Sequence, residues 1–339
     1  MSISVLANKL ISLLGTLNNP FFFMYRVCHY LNKDMPHWIA MSIYKKNLKE
    51  YKEDCSEDFL IDTYDGSGQA VHPDMAYLNN QYWLVITPYP YGMEEYENPC
   101  IYHGDDLKIL KTPQGPIAIQ RKHTQGVHLS DPCLAINGNK LFCYYRESER
   151  KGSREENTIW EIKYNDSEKR WSEASLLLDS IDDKILSPAM IFDNEGKLRI
   201  YYVSTLNNKF TLVSTLSNGV VHELTEHKII GMPKDYDLWH IGISKITDIT
   251  TGVSNTKELA GLFLMKPKKK GGGMKLFVSN NNGVESDWHI VKEVEMPDSI
   301  KDIVRFPYKS CFIPQSDGAI LLSFRDKKSR NRLIIINNN

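Results

Sequence analysis

The sequence predicts an all-β fold, a five-bladed β-propeller at residues 61–339 with a helical N-terminal extension at 1–60. Three observations predict it. Segments that place a polar residue before proline recur, at Val71-His72-Pro73-Asp74, Ser130-Asp131-Pro132-Cys133 and Leu186-Ser187-Pro188-Ala189. Each is followed by an Asn- or Gly-containing turn and an aromatic strand: Tyr82–Val85, Leu141–Arg146 and Leu198–Val203. Asn-Gly pairs at Asn218-Gly219 and Asn282-Gly283 then mark outer hairpins.

Taken in order, the first 60 residues have a helical period. Val5, Leu6, Leu10, Ile11, Leu13 and Leu14 fall at helical spacing, and Asn18-Asn19-Pro20 ends the run. Phe21–Leu31 and Pro36–Tyr51 are two further helical candidates, expected to cap the main body. From about residue 70 the period falls to that of strands, rich in β-branched and aromatic residues and separated by Gly/Asn/Asp turns. Weaker units follow at Leu238–Ile243 with Leu259–Met265, and at Tyr308–Ile313 with Ile320–Phe324. The count is five units of four strands, each of roughly 50 to 70 residues, a repeat length that suits propeller blades. Proline is expected at the first residue of each innermost strand, where its missing N–H breaks no ladder. Radial repetition then gathers the strand openings around one mouth of a central channel.

The bulk numbers narrow the function classes. A net charge of -1 gives no general electrostatic grip on nucleic acid or an acidic membrane. The one basic run, Lys266-Pro267-Lys268-Lys269-Lys270, leads into Gly271-Gly272-Gly273 and reads as a solvated hairpin loop. The six cysteines (28, 55, 100, 133, 143 and 311) include no CxxC pair, so neither metal ligation nor a disulfide framework is expected. Cys100, Cys133 and Cys311 read as small buried apolar residues. The N-terminus lacks the layout of a secretory signal and no run has about 18 apolar residues. A cytoplasmic protein without cofactor or metal is therefore expected, its oligomeric state open. No GxGxxG, Walker or GxSxG pattern is present.

The X-Asp-Pro opening at Ser130-Asp131-Pro132, and the outer turn of Ser279, Asn282 and Gly283 followed by Trp288, resemble the five-bladed propeller glycosidases. That clan, family 43-like, contains arabinanases, β-xylosidases and fructosidases. The likeness covers residues 65–339. The Tyr96–Ile101 segment is also similar to one in uncharacterised bacterial and phage propellers. The resemblance implies a carbohydrate partner and glycosidic-bond hydrolysis by carboxylates in the central pocket. It also implies a carboxylate at the opening of the first blade, another acidic residue in a central blade and a glutamate acid in the blade after it. Here Ser187-Pro188 and Trp239-His240 stand at the third and fourth openings.

Glycoside hydrolysis needs one carboxyl to protonate the leaving oxygen and another to activate water or attack the sugar. Asp74, Glu97 and Asp131 are the candidate acid/base set. His72 and Asp74, two apart on a strand, share a face. Asp131 begins the second inner strand, although an Asp before proline also serves as a turn residue bonding its own backbone. Glu97, before Asn98-Pro99, reads as a strand opening of its own. His72, Glu147, Arg146, His240, Tyr89, Trp239 and Arg325 are candidate substrate contacts. The aromatics would stack on a sugar ring and the arginines pair with an acidic sugar. A catalytically silent glycan-binding or structural propeller is the alternative.

Overall fold

The computed structural model describes residues 58–337, apart from 93, 109, 111–126, 152–153, 181–183, 207–208, 218–223, 247–258, 270 and 282–285. The helical extension expected at 1–60 lies, up to residue 57, outside the described residues. So do Cys28, Cys55 and the Asn218-Gly219 and Asn282-Gly283 turns.

Five antiparallel-based sheets form the five blades. Blade 1 contains β1 (Ala70–Leu78), β2 (Gln81–Pro88) and β3 (Cys100–Gly104). Blade 2 contains β4 (Val127–Asn137), β5 (Lys140–Lys151), β6 (Arg154–Asn165), β7 (Arg170–Trp171) and β8 (Ser175–Ser180). Blade 3 contains β9 (Ile185–Phe192), β10 (Leu198–Ser204), β11 (Thr211–Leu216) and β12 (Thr225–His227). Blade 4 contains β13 (Ile229–Ile230), β14 (Tyr236–Lys245), β15 (Leu259–Pro267), β16 (Lys275–Asn281) and β17 (Trp288–Glu293). Blade 5 contains β18 (Val304–Pro307), β19 (Cys311–Phe312), β20 (Ile320–Asp326) and β21 (Asn331–Ile336). The blades thus depart from a uniform four strands, with three in blade 1 among the described residues and five in blades 2 and 4.

Strands β1, β4, β9, β14 and β19 touch one another in cyclic order, the last returning to the first. Between each adjacent pair of blades lies one apolar cluster. Trp83, Val85, Leu134 and Tyr145 join blades 1 and 2, and Tyr201, Phe263 and Trp288 join blades 3 and 4. Ile86, Tyr102, Leu321 and Leu333 close the circle from blade 5 to blade 1. A segment before β1 ties the ends together. The Phe59 amide donates to the Leu333 carbonyl at 2.9 Å, and the Arg332 guanidinium donates to both Asp58 oxygens at 2.7 and 2.6 Å.

The turns follow their residue types. Asn79 and Asn80 both have positive φ (53° and 59°), the conformation that a tight hairpin between β1 and β2 demands and that Asn tolerates. The four described cysteines (100, 133, 143 and 311) are buried and free, including the three read as small buried apolar residues, Cys100, Cys133 and Cys311. Lys266 departs from the solvated-loop reading. Its ammonium lies over the rings of Phe210 (3.6 Å) and Trp239 (3.8 Å), and this partial burial lowers its pKa.

The prolines sit deeper than expected. Pro73 is the fourth residue of β1, Pro132 the sixth of β4 and Pro188 the fourth of β9. Each occupies a β-bulge: the registers shift between Val71 and Asp74, between Ser130 and Cys133, and opposite Tyr201 and Val203. A bulge leaves one residue out of the ladder, so a proline without an N–H is tolerated mid-strand. Blade 4 shifts between Leu238 and His240, at the equivalent place without a proline.

Candidate active site on the propeller axis

The residue before each bulge proline has a left-handed backbone: His72 at φ 54°, Asp131 at 51° and Ser187 at 49°. That region costs non-glycine residues about 1–3 kcal/mol and is sterically disfavoured before proline. At His72 and Asp131 this backbone turns the side chains out of the ladder towards one another, whereas Ser187 turns to blade 4. Asp131 Oδ1 lies 3.6 Å from His72 Nε2 and 3.6 Å from His240 Nδ1, and all three residues are buried. The two imidazoles are 5.2 Å apart, and Tyr308 presents its ring near both.

Asp131 is anchored from its other oxygen. Arg146 Nε and Nη2 each approach Oδ2 at 3.0 Å, and the same guanidinium donates to Ser130 Oγ (3.0 Å) and Asn157 Oδ1 (2.8 Å). Arg146, expected to contact substrate, is therefore committed to holding the carboxylate. Burial pushes the Asp131 carboxyl up, but the facing His72, Arg146, His240 and Lys309 outweigh it and hold it well below the usual range. Burial lowers His72 to about 4 and His240 to about 3 against the opposing pull of Asp131.

Asp74 faces the seam between blades 1 and 2. Its Oδ2 accepts the Leu134 amide at 2.7 Å, and burial raises its pKa to about 6 although Lys309 and backbone donors oppose the shift. Ser187 ties blade 3 to blade 4 in a similar way: its hydroxyl accepts the Ile241 amide (2.9 Å) and donates to the Ile241 carbonyl (3.0 Å). Lys309 spans the axis from the break between β18 and β19. Its ammonium donates to the carbonyls of Pro132 (3.2 Å) and Pro188 (3.1 Å), two groups that lie within the bulges.

Glu97 lies beyond the short 3₁₀ turn Glu94–Tyr96 and precedes β3, so it opens a third strand and not an innermost one. It is nonetheless buried, with Oε2 3.5 Å from His128 Nε2. Burial raises its pKa well above the usual carboxylate value. The negative charges of Glu94 and Asp131 add to the rise, and Arg146 opposes it. Glu147 is buried on β5, opposite Leu129 and next to Arg146. Arg325 lies over Tyr89 (5.5 Å) and Tyr308 (5.6 Å) and donates to Asn331 Oδ1 at 3.1 Å. Trp239 sits edge-on to His240, with ring centres 5.8 Å apart, and its own ring is covered by Lys266.

The fold thus brings His72, Asp131, Arg146 and His240 together directly, and joins Tyr89 and Arg325 to them through Tyr308. Tyr308, Lys309, Asn157 and His128 are the site's members that sequence reasoning missed. The one X-Pro dipeptide just before the blade 5 opening, Phe306-Pro307, carries no polar residue ahead of its proline and so does not match the pattern. Among the described residues, His72, Asp131 and His240 form the one group of three His, Cys, Asp or Glu side chains with ligand atoms all within 4.8 Å of one another.

No family model and no curated protein matches the sequence. Solved structures do match its shape. An N-acetylgalactosamine deacetylase from F. plautii superposes with a TM-score of 0.61 at 17% identity, over 79% of this chain and 88% of that one. A xylan β-1,4-xylosidase from Bacillus halodurans gives 0.56 at 12% identity, over 79% and 52%. A family 43 endo-arabinanase from Bacillus licheniformis gives 0.54 at 10% identity, over 79% and 93%. At these identities the likeness establishes the five-bladed propeller fold. Among the described residues no helix is long and apolar enough to cross a membrane.

Proposed function

We propose that the protein is a carbohydrate-active hydrolase that cleaves a glycosidic bond at the axial mouth, with Glu97 as general acid and Asp131 as the ionised partner. One observation carries this reading. Two buried carboxyls in the same electrostatic field are driven in opposite directions, Glu97 towards its protonated form and Asp131 towards its anion. Paired carboxyls whose environments separate their pKa values are the arrangement that acid-assisted sugar cleavage requires. The neighbouring structures support the substrate class, since a xylosidase and an arabinanase share the fold. Asp74, with one oxygen given to the Leu134 amide, has a supporting place at the seam. Tyr89 and Trp239 would flank the sugar, with His72 and His240 as hydroxyl partners and Arg325 and Glu147 at the margin.

The test is hydrolysis of aryl α-L-arabinofuranosides, β-D-xylosides and β-D-galactosides by the full chain, followed by Glu97→Gln and Asp131→Asn. Each substitution is expected to lower kcat by about 10²–10⁴, the usual worth of a positioned acid or base. Turnover that survives both substitutions refutes the assignment. The Arg146 lock on Asp131 favours a second reading, a glycan-binding propeller without turnover. Saturable sugar binding with no released product would establish it.

A further inference from the structure

We infer that His72, Asp131 and His240 form a binding site for one divalent first-row transition-metal ion, with zinc as the reference case. The inference does not depend on the glycosidase reading, but it draws on the same three side chains: an ion held there would take the Asp131 oxygen that Arg146 leaves free.

Geometry carries the argument. Two imidazole nitrogens stand 3.6 Å from the same carboxylate oxygen. That separation is too long for an N–H···O hydrogen bond. It is close to the spacing of neighbouring ligands around zinc, about 3.0–3.4 Å for bonds of about 2.1 Å. Two of the facing atoms, Asp131 Oδ1 and His240 Nδ1, are buried and have no hydrogen-bond partner. A buried polar atom left unpaired costs about 1–3 kcal/mol, so two that face each other across a shared gap call for a common occupant.

The surroundings match that occupant. Arg146 engages only Oδ2 and so fixes the carboxylate with Oδ1 presented to the two histidines. This is the outer-sphere support that orients a ligating carboxylate. The Lys309 ammonium is engaged by the carbonyls of Pro132 and Pro188. Two imidazoles and one carboxylate suit zinc and its neighbours better than calcium or magnesium, which take oxygen. Three protein ligands also leave a coordination position open for water or a substrate oxygen.

The test needs no sugar. The full chain is stripped with EDTA, reloaded with Zn²⁺, desalted and analysed for metal, and Co²⁺ is titrated by visible absorption. The expected result is about one Zn²⁺ per chain, with Co²⁺ bands that Zn²⁺ displaces. His72→Ala and His240→Ala should each weaken binding by at least about tenfold. The exposed His289→Ala should not change it. Absence of the metal and of the Co²⁺ bands in the wild-type chain overturns the inference, whether or not the variants fold. Full retention by a folded His72→Ala/His240→Ala double variant overturns it equally. Glycoside cleavage that persists in EDTA by a chain that binds no Zn²⁺ would sink this site and leave the proposed function standing. Zinc binding without glycoside cleavage would do the reverse.

Discussion

The bulges of blades 2 and 3 have nearly the same backbone and opposite employment. Asp131 and Ser187 each precede a proline, each have φ near 50° and each are fully buried. Asp131 turns one oxygen to the two axial histidines, whereas Ser187 spends its hydroxyl on the Ile241 amide and carbonyl. The repeat therefore supplies a position, and the side chain placed there decides between chemistry and blade-to-blade stitching. Absence of an acid at the third opening removes nothing from the pocket, because that opening serves the seam.

Substitutions can break this contrast. The largest effect is expected for Asp131→Asn, which leaves the buried Arg146 with only the more distant Glu155 (3.9 Å) as counter-charge and should cost about 3–5 kcal/mol in chemical denaturation. Lys309→Met, which strips a charged donor from two bulge carbonyls, should cost about 2–3 kcal/mol. Ser187→Ala orphans the Ile241 amide and should cost about 1–2 kcal/mol in the same measurement. A Ser187→Ala loss as large as that of Asp131→Asn would erase the distinction between the two openings.

The same contrast has a pH dependence. Because the folded-state pKa of Glu97 lies above its unfolded value of 4.5, the native chain holds a proton that the unfolded chain releases. Between those two values its contribution to stability falls as pH rises. Comparing wild type with Glu97→Gln across that window isolates the contribution, and a Glu97→Gln chain with an unchanged stability slope would remove Glu97 from the protonated role.

Much of the fold was legible because strand alternation and X-Pro recurrence are local. His72, Asp131 and His240 could all be named from their openings. What could not be read was their convergence on a single carboxylate oxygen, since they come from three blades and no spacing encodes it. The bulge was also hidden. A proline reads equally well as the first residue of a strand, and only pairing shows the extra residue at His72-Pro73. Lys309 carried no signal, because its role depends on carbonyls contributed by blades 2 and 3. The partners of Arg146 were hidden for a related reason: a lone arginine at a strand end does not reveal that Asp131, Ser130 and Asn157 will take its donors.

The lysine on the axis also imposes an order of events. Ribosomes deliver this chain from its N-terminus, so His72 and Asp131 emerge long before Lys309. Until blade 5 is made, the carbonyls of Pro132 and Pro188 lack their ammonium, and the Arg332 partner of Asp58 does not yet exist. The pocket is therefore finished only when blade 5 is made, and a nascent chain that already carries His72, Asp131, Arg146 and His240 still lacks the ammonium that links the bulges of blades 2 and 3.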